Sequence, residues 1–195
     1  LSRDFKNNTN AVLAEVIGIF VFDSLVWPTA GKSLNLVGLF NTTLSKAVPI
    51  TLGALSGILC ERSGVVNIAI EGMMLSGAMV SALVGSITQN AWIGLFAAVI
   101  TGALLAFVHG IFSIKYKTNQ IISGTVINIF ATGLTSYISA KFLQVYPALN
   151  NPPTFGAIAI PLLADIPVIG EIFFVNNLFV FAMFTFIIIL QIALF

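Results

Sequence analysis

The groups able to do chemistry concentrate in one stretch, Glu61-Arg62-Ser63-Gly64-Val65-Val66-Asn67-Ile68-Ala69-Ile70-Glu71-Gly72-Met73-Met74, set between two apolar segments. Asn67 and Glu71 stand four residues apart, a spacing that puts two side chains on one face of a helix. Gly64 and Gly72 bracket them, and glycine lets a backbone bend or approach another segment closely. A carboxylate near membrane depth is costly unless it faces protein or water, which makes Glu71 a functional candidate by default. A plainer reading stands beside this one. Glu61 and Arg62 then cap a surface, and Glu71 opens the next helix at its positive end.

A second polar set lies downstream. Thr125, Asn128, Thr132, Thr135 and Ser139 are spaced by three, four, three and four residues, which is one helical face. Gln120 and Gly124 adjoin its near end. Such a strip either lines a wet pathway or supplies interhelical hydrogen bonds, a common use of hydroxyls in membranes. His109 is the lone histidine, open to a role in proton sensing or to simple packing.

Catalysis finds little support. One histidine and one cysteine, Cys60, leave the usual nucleophilic and metal schemes without their parts, and neither a metal nor a cofactor is expected. No Gly-x-x-x-x-Gly-Lys-Ser/Thr loop occurs, so any ATP hydrolysis belongs to another chain. What remains is an inventory of a few amides, hydroxyls and one intramembrane carboxylate, suited to passage of a polar, neutral solute.

The elements that must position these groups are membrane helices. Of 195 residues 58% are hydrophobic and only 8% charged, against about a quarter charged in soluble domains. Gly72 to Ile114 and Thr118 to Ala140 carry no charge at all, and uncharged apolar runs longer than about 18 residues read as transmembrane helices. The expected fold is all-α, a polytopic helix bundle of about five spans in one membrane domain over 1–195, broken or kinked near 60–72. Spans are expected over 34–60, from near Val65 to Ser86, over 91–114 and 120–140, and from Leu178 onward. Residues 11–30, interrupted by Glu15 and Asp23, either span or lie along the interface.

Lys46 and Pro49 divide the span over 34–60, since proline removes a backbone donor and kinks a helix. Gly53 and Gly57 below them form a GxxxG pair. In the span over 91–114, Gly94, Ala98, Gly102, Ala106 and Gly110 recur at every fourth residue, a stripe of small side chains for close helix packing. Lys141 to Asn177 holds five of the seven prolines and is expected as an ordered extramembrane loop.

The two polar blocks resemble a known family. Glu61 to Met74, and Lys117-Thr118-Asn119-Gln120-Ile121-Ile122-Ser123-Gly124-Thr125-Val126-Ile127-Asn128 downstream of it, are similar to the permease subunit of bacterial ABC importers, in the simple-sugar and nucleoside branch related to branched-chain amino acid permeases. The resemblance covers roughly residues 45–195. It implies a multi-pass protein of the bacterial inner membrane, in contact with lipid; the charge pattern, with no basic patch, does not suit nucleic acid. The implied partners are a second permease subunit, cytoplasmic ATP-binding subunits and an extracellular substrate-binding lipoprotein, with a nucleoside or simple sugar as solute. Asn67, Glu71, Gln120, Thr125, Asn128 and Thr132 would then face the pathway or its gate. An ion-coupled secondary carrier using Glu71 is the alternative.

Relatives continue through a basic cytoplasmic segment, expected to contact the ATPase, and through further spans. This chain lacks an initial Met and stops in an apolar run at Phe195, so a fragment is expected. Arg3, Lys6, Arg62, Lys115 and Lys117 fall on one side of alternating spans and Lys32, Lys46 and Lys141 on the other. The first side is therefore expected to be cytoplasmic.

Overall fold

The computed structural model describes residues 16, 18–22, 36–161, 164, 166 and 170–194. The chain divides into two compact units, residues 1–39 and 40–195. In the first unit, residues 16 and 18–22 are helical and exposed. The rest of the expected span over 11–30 lies outside the described residues, as do Asp165 and Pro167 of the proline-rich segment.

Among the described residues from 36 onward, five α-helices carry the fold: α1 (Leu36–Arg62), α2 (Ile70–Thr88), α3 (Ala91–Gly110), α4 (Gln120–Ile138) and α5 (Leu178–Leu194). α1, α2, α3 and α4, the last two with their C-terminal extensions, are long and apolar enough to cross a membrane, and α5 is a shorter apolar helix. Large apolar side chains face outward, among them Ile50, Phe96, Phe107 and Ile129. That is the expected arrangement where the surroundings are lipid rather than water.

The expected break is present and its ends can be placed. α1 closes in a Schellman arrangement: Val65 N–H reaches the Cys60 carbonyl at 3.0 Å and Gly64 N–H the Glu61 carbonyl at 3.0 Å. Gly64 takes φ +82°, a left-handed conformation that favours glycine. Residues 65–67 then run without helical structure, and α2 begins only at Ile70. The expectation that this span starts near Val65 is thus corrected, because the Gly64 cap turns the chain before a new helix can form. The expected division at Pro49 is corrected too. α1 runs through it as one helix of 27 residues, since a proline removes one bond from a long ladder that others sustain.

Helix starts follow their caps. Asn90 accepts from Trp92 N–H at 2.9 Å to open α3, and Asn119 accepts from Ile121 N–H at 2.9 Å to open α4. α3 ends in a π-helical turn over Ile111–Lys115. The described residues between α4 and α5 form short helical turns and irregular chain rather than a span. They include a two-stranded antiparallel ribbon, β1 (Ala157–Ala159) with β2 (Val175–Asn177), in which Ile158 faces Asn176. Pro152 and Phe155 fix this segment to the bundle. A Cβ on Gly85 would stand 3.5 Å from Pro152 Cβ. The Phe155 ring lies edge-on to Trp92 at 5.0 Å and to Phe179 at 5.3 Å.

α2 and α3 form an antiparallel hairpin at close backbone distance, and α4 crosses the start of α2. α1 meets α5 through Val48, Val180 and Met183, backed by Leu52, Phe179 and Phe184. Arg62 Nη2 donates to the Leu194 carbonyl at 3.3 Å, so the C-terminal ends of α1 and α5 lie together.

Candidate functional site

The connector over residues 63–69 is held by side chains from two other helices. Val66 N–H donates to Gln120 Oε1 at 2.7 Å. The Val66 carbonyl lies 3.3 Å from His109 Nε2, whose other ring nitrogen lies 3.1 Å from Ser123 Oγ. Asn128 Nδ2 donates to the Ile68 carbonyl at 2.9 Å, while its Oδ1 accepts from Gly72 N–H at 2.8 Å. The residue before α2, Ala69, supplies no side-chain cap. Asn128 therefore caps α2 from across the helix interface, meeting one of the donors that every helix start leaves unpaired. Two glycines make the approach possible. A Cβ on Gly72 would sit 2.8 Å from Asn128 Oδ1 and 3.1 Å from Ala131 Cβ, and one on Gly124 would sit 3.0 Å from Ala69 N.

Asn67 sits inside the connector rather than on a helix. Its Oδ1 accepts from Ala69 N–H at 3.0 Å. Its amide nitrogen faces two sulfurs, Met73 Sδ at 3.7 Å and Cys60 Sγ at 3.8 Å. Glu71 is exposed in the first turn of α2, where its charge complements the helix dipole. The helical rule that would put Asn67 and Glu71 on one face does not apply across a non-helical Asn67. Even so, both line a cleft of about 550 Å³ with Pro49, Ala54, Glu61 and Met74.

A second cavity, of about 620 Å³, opens between α1, α2 and α3. Asn67 lines it as well, with Ser56, Cys60, Met73, Met74 and Gly102. The seam between cleft and cavity is narrow, because the GxxxG pair of α1 meets α2 there. A Cβ on Gly53 would stand 3.2 Å from Met74 Sδ, and one on Gly57 3.6 Å from Ile70 Cδ1.

The polar face of α4 is split in use. Gln120 and Asn128 reach the connector. Thr125 and Thr132 donate to the carbonyls of Ile121 and Asn128 on their own helix, at 2.9 and 2.8 Å, and stay exposed. Thr135 is buried and donates to the Thr132 carbonyl at 3.1 Å. The small-residue stripe of α3 is split likewise. A Cβ on Gly94 would meet the Ser81 carbonyl at 2.8 Å, and Ala98 lies against Gly77, whereas Cβ atoms on Gly102 or Gly110 would meet nothing within 4 Å. Gly94 and Ala98 thus pack on α2. Ala98, Gly102 and Ala106 line the cavity.

Gln120 and Asn128 were candidates for the pathway and His109 for proton sensing or packing; that they join Ser123 in clamping the connector is the part that sequence reasoning missed. Its available signal was the concentration of amides and a histidine at corresponding ends of neighbouring spans.

Comparison with known proteins gives one consistent result. Residues 39–195 match the family described as the branched-chain amino acid transport system / permease component. A guanosine ABC transporter permease protein of Bacillus subtilis is 39% identical over 138 residues, 68% of this chain and 43% of the relative. A putative glucose ABC transporter permease protein of Haloferax volcanii is 36% identical over 141 residues, 70% of this chain and 41% of the relative. A nucleoside ABC transporter permease protein of Lactococcus lactis subsp. cremoris is 32% identical over 139 residues, covering 67% and 43%. The chain thus spans about two-fifths of the length of these relatives. No solved structure matches it significantly.

Proposed function

We propose, on the premise that this chain belongs to the branched-chain amino acid transport system permease family, that it forms part of the membrane pathway of an ABC importer for a nucleoside or simple sugar. Its spanning helices make it a multi-pass membrane protein. The protein does no chemistry of its own on this reading. Two cytoplasmic ATP-binding subunits drive alternating access, a second permease completes the path, and an extracellular binding lipoprotein delivers the solute.

The observation that carries the reading is the α1–α2 break. Discontinuous helices commonly build transport sites, because an unwound backbone and short side chains can face a solute there. Asn67 and Glu71 stand at the edge of the route, and Gln120 and Asn128 hold that edge in place. Thr125 and Thr132, exposed on α4, keep oxygen lone pairs able to accept from a passing hydroxyl. Arg62, Lys115 and Lys117 lie at the end of the bundle where α1 and α3 finish and α4 begins, which is the cytoplasmic end by the excess of positive charge.

Uptake of labelled guanosine and glucose by cells carrying the full-length protein and its partners tests this reading. Uptake should be lost when the partner ATPase is inactivated and should survive collapse of the ion gradients. The opposite pattern would establish an ion-coupled carrier instead.

A further inference from the structure

We propose that the cavity between α1, α2 and α3 is a resting site for a nucleoside, with the Asn67 amide as its hydrogen-bond donor. The proposal rests on the permease reading and gives it a location and a preferred solute class. The volume of about 620 Å³ lies within the range of small-molecule sites. Among the described residues no helix fills this space, which is open on one side rather than enclosed. Gly94 meets α2 at contact distance, but a Cβ on Gly102 would meet nothing within 4 Å, so this half of the stripe forms a smooth wall of the cavity.

Asn67 supplies the chemical pointer. Its amide nitrogen has only thioether and thiol sulfur at 3.7 and 3.8 Å, and sulfur is a weak acceptor. A solute oxygen or ring nitrogen in that position would be a better partner. The rest of the lining decides the class. Ser56 and Asn67 are its side chains with oxygen or nitrogen, and Ile70, Met73, Met74 and Val99 are apolar. A simple sugar carries hydroxyls around its whole rim, and most would be buried without partners at a cost for each. The base of a nucleoside presents two apolar ring faces, which suit methionine thioethers, and its polar edge can turn toward Asn67 and Ser56 while the ribose hydroxyls stay at the open side of the site.

Cys60 lines the cavity and is a ready reporter. The experiment uses the full-length protein with its partners in membrane vesicles, with any cysteine other than Cys60 replaced. A small hydrophilic thiol reagent should modify Cys60, and guanosine should slow that modification several-fold while glucose has little effect. Gly102→Phe, which fills the cavity, should raise the KM for guanosine uptake about tenfold, equivalent to about 1.4 kcal/mol. Gly110→Phe, on the same stripe but outside the cavity, should leave KM unchanged. The labelling measurement needs no substitution in the cavity, so it stands even where Gly102→Phe misfolds.

Failure of guanosine to protect Cys60 in a transporter that imports it would overturn the site and spare the permease reading. So would an unchanged KM in Gly102→Phe. Protection by glucose and not by guanosine would overturn the nucleoside class. Absence of ATPase-driven uptake of either solute would overturn the permease reading and the site together.

Discussion

Both ends of the Asn128 amide are taken by backbone groups of another segment, the Ile68 carbonyl and the Gly72 N–H. Asn128→Leu removes both partners, and the buried Gly72 N–H left without an acceptor costs about 1–3 kcal/mol, the exposed Ile68 carbonyl less. The full-length protein in detergent should therefore melt several degrees lower. Asn128→Asp keeps the acceptor and loses the donor, and should fall between. Glu71 gives a functional contrast. If it edges the route, Glu71→Gln slows uptake severalfold with little change in melting temperature. If it only complements the α2 dipole, the loss is about 0.3–1 kcal/mol of stability and uptake keeps its rate and affinity. Asn67, Glu71 and Asn128 were legible as candidates because polar groups at membrane depth require a reason. Their partners were not legible. The Thr125–Asn128–Thr132 spacing defines a face of α4, but which neighbour that face meets depends on helix rotation, which no local pattern encodes. The Asn67–Glu71 pairing assumed a helix that the Gly64 cap had already ended.

The helix stripe on α3 shows the same limit at the scale of an element. Five small residues at every fourth position read as one packing surface. An α-helix turns about 100° per residue, so each step of four overshoots a full turn by about 40°. Five members therefore sweep well around the axis and cannot all meet one straight neighbour. The first two lie on α2, Gly102 and Ala106 turn toward the cavity, and Gly110 lies outside it. Substitutions should divide accordingly. Gly94→Leu forces a side chain into the Ser81 carbonyl and should destabilise the α2–α3 hairpin by about 1–3 kcal/mol or more. Gly102→Ala meets open space and replaces a poor helix former, so it should be neutral or stabilise by about 0.5–1 kcal/mol. Thermal melts of the two variants beside the parent protein provide the comparison.

At the scale of the whole molecule, the all-α, polytopic character was legible because hydropathy is local and accumulates along the chain; about five spans were expected, and among the described residues four helices are long enough to cross while α5 is shorter. The alternation of ends follows. The basic turn at Lys115–Lys117 lies with the α1–α2 connector, whereas the proline-rich segment lies with the α2–α3 turn at the other end. An impermeant thiol reagent applied to intact cells should label Asn151→Cys and reach Lys117→Cys only after the membrane is opened. The reverse result would invert the orientation. What hydropathy could not supply is the dependence between distant segments. Asn128 is synthesised 56 residues after the Gly72 N–H it completes. During translation, α2 therefore emerges from the ribosome with its first turn unfinished, and its final seat in the bilayer waits for α4. A nascent chain arrested before α4 should keep the connector open to protease, and release of a longer chain should close it.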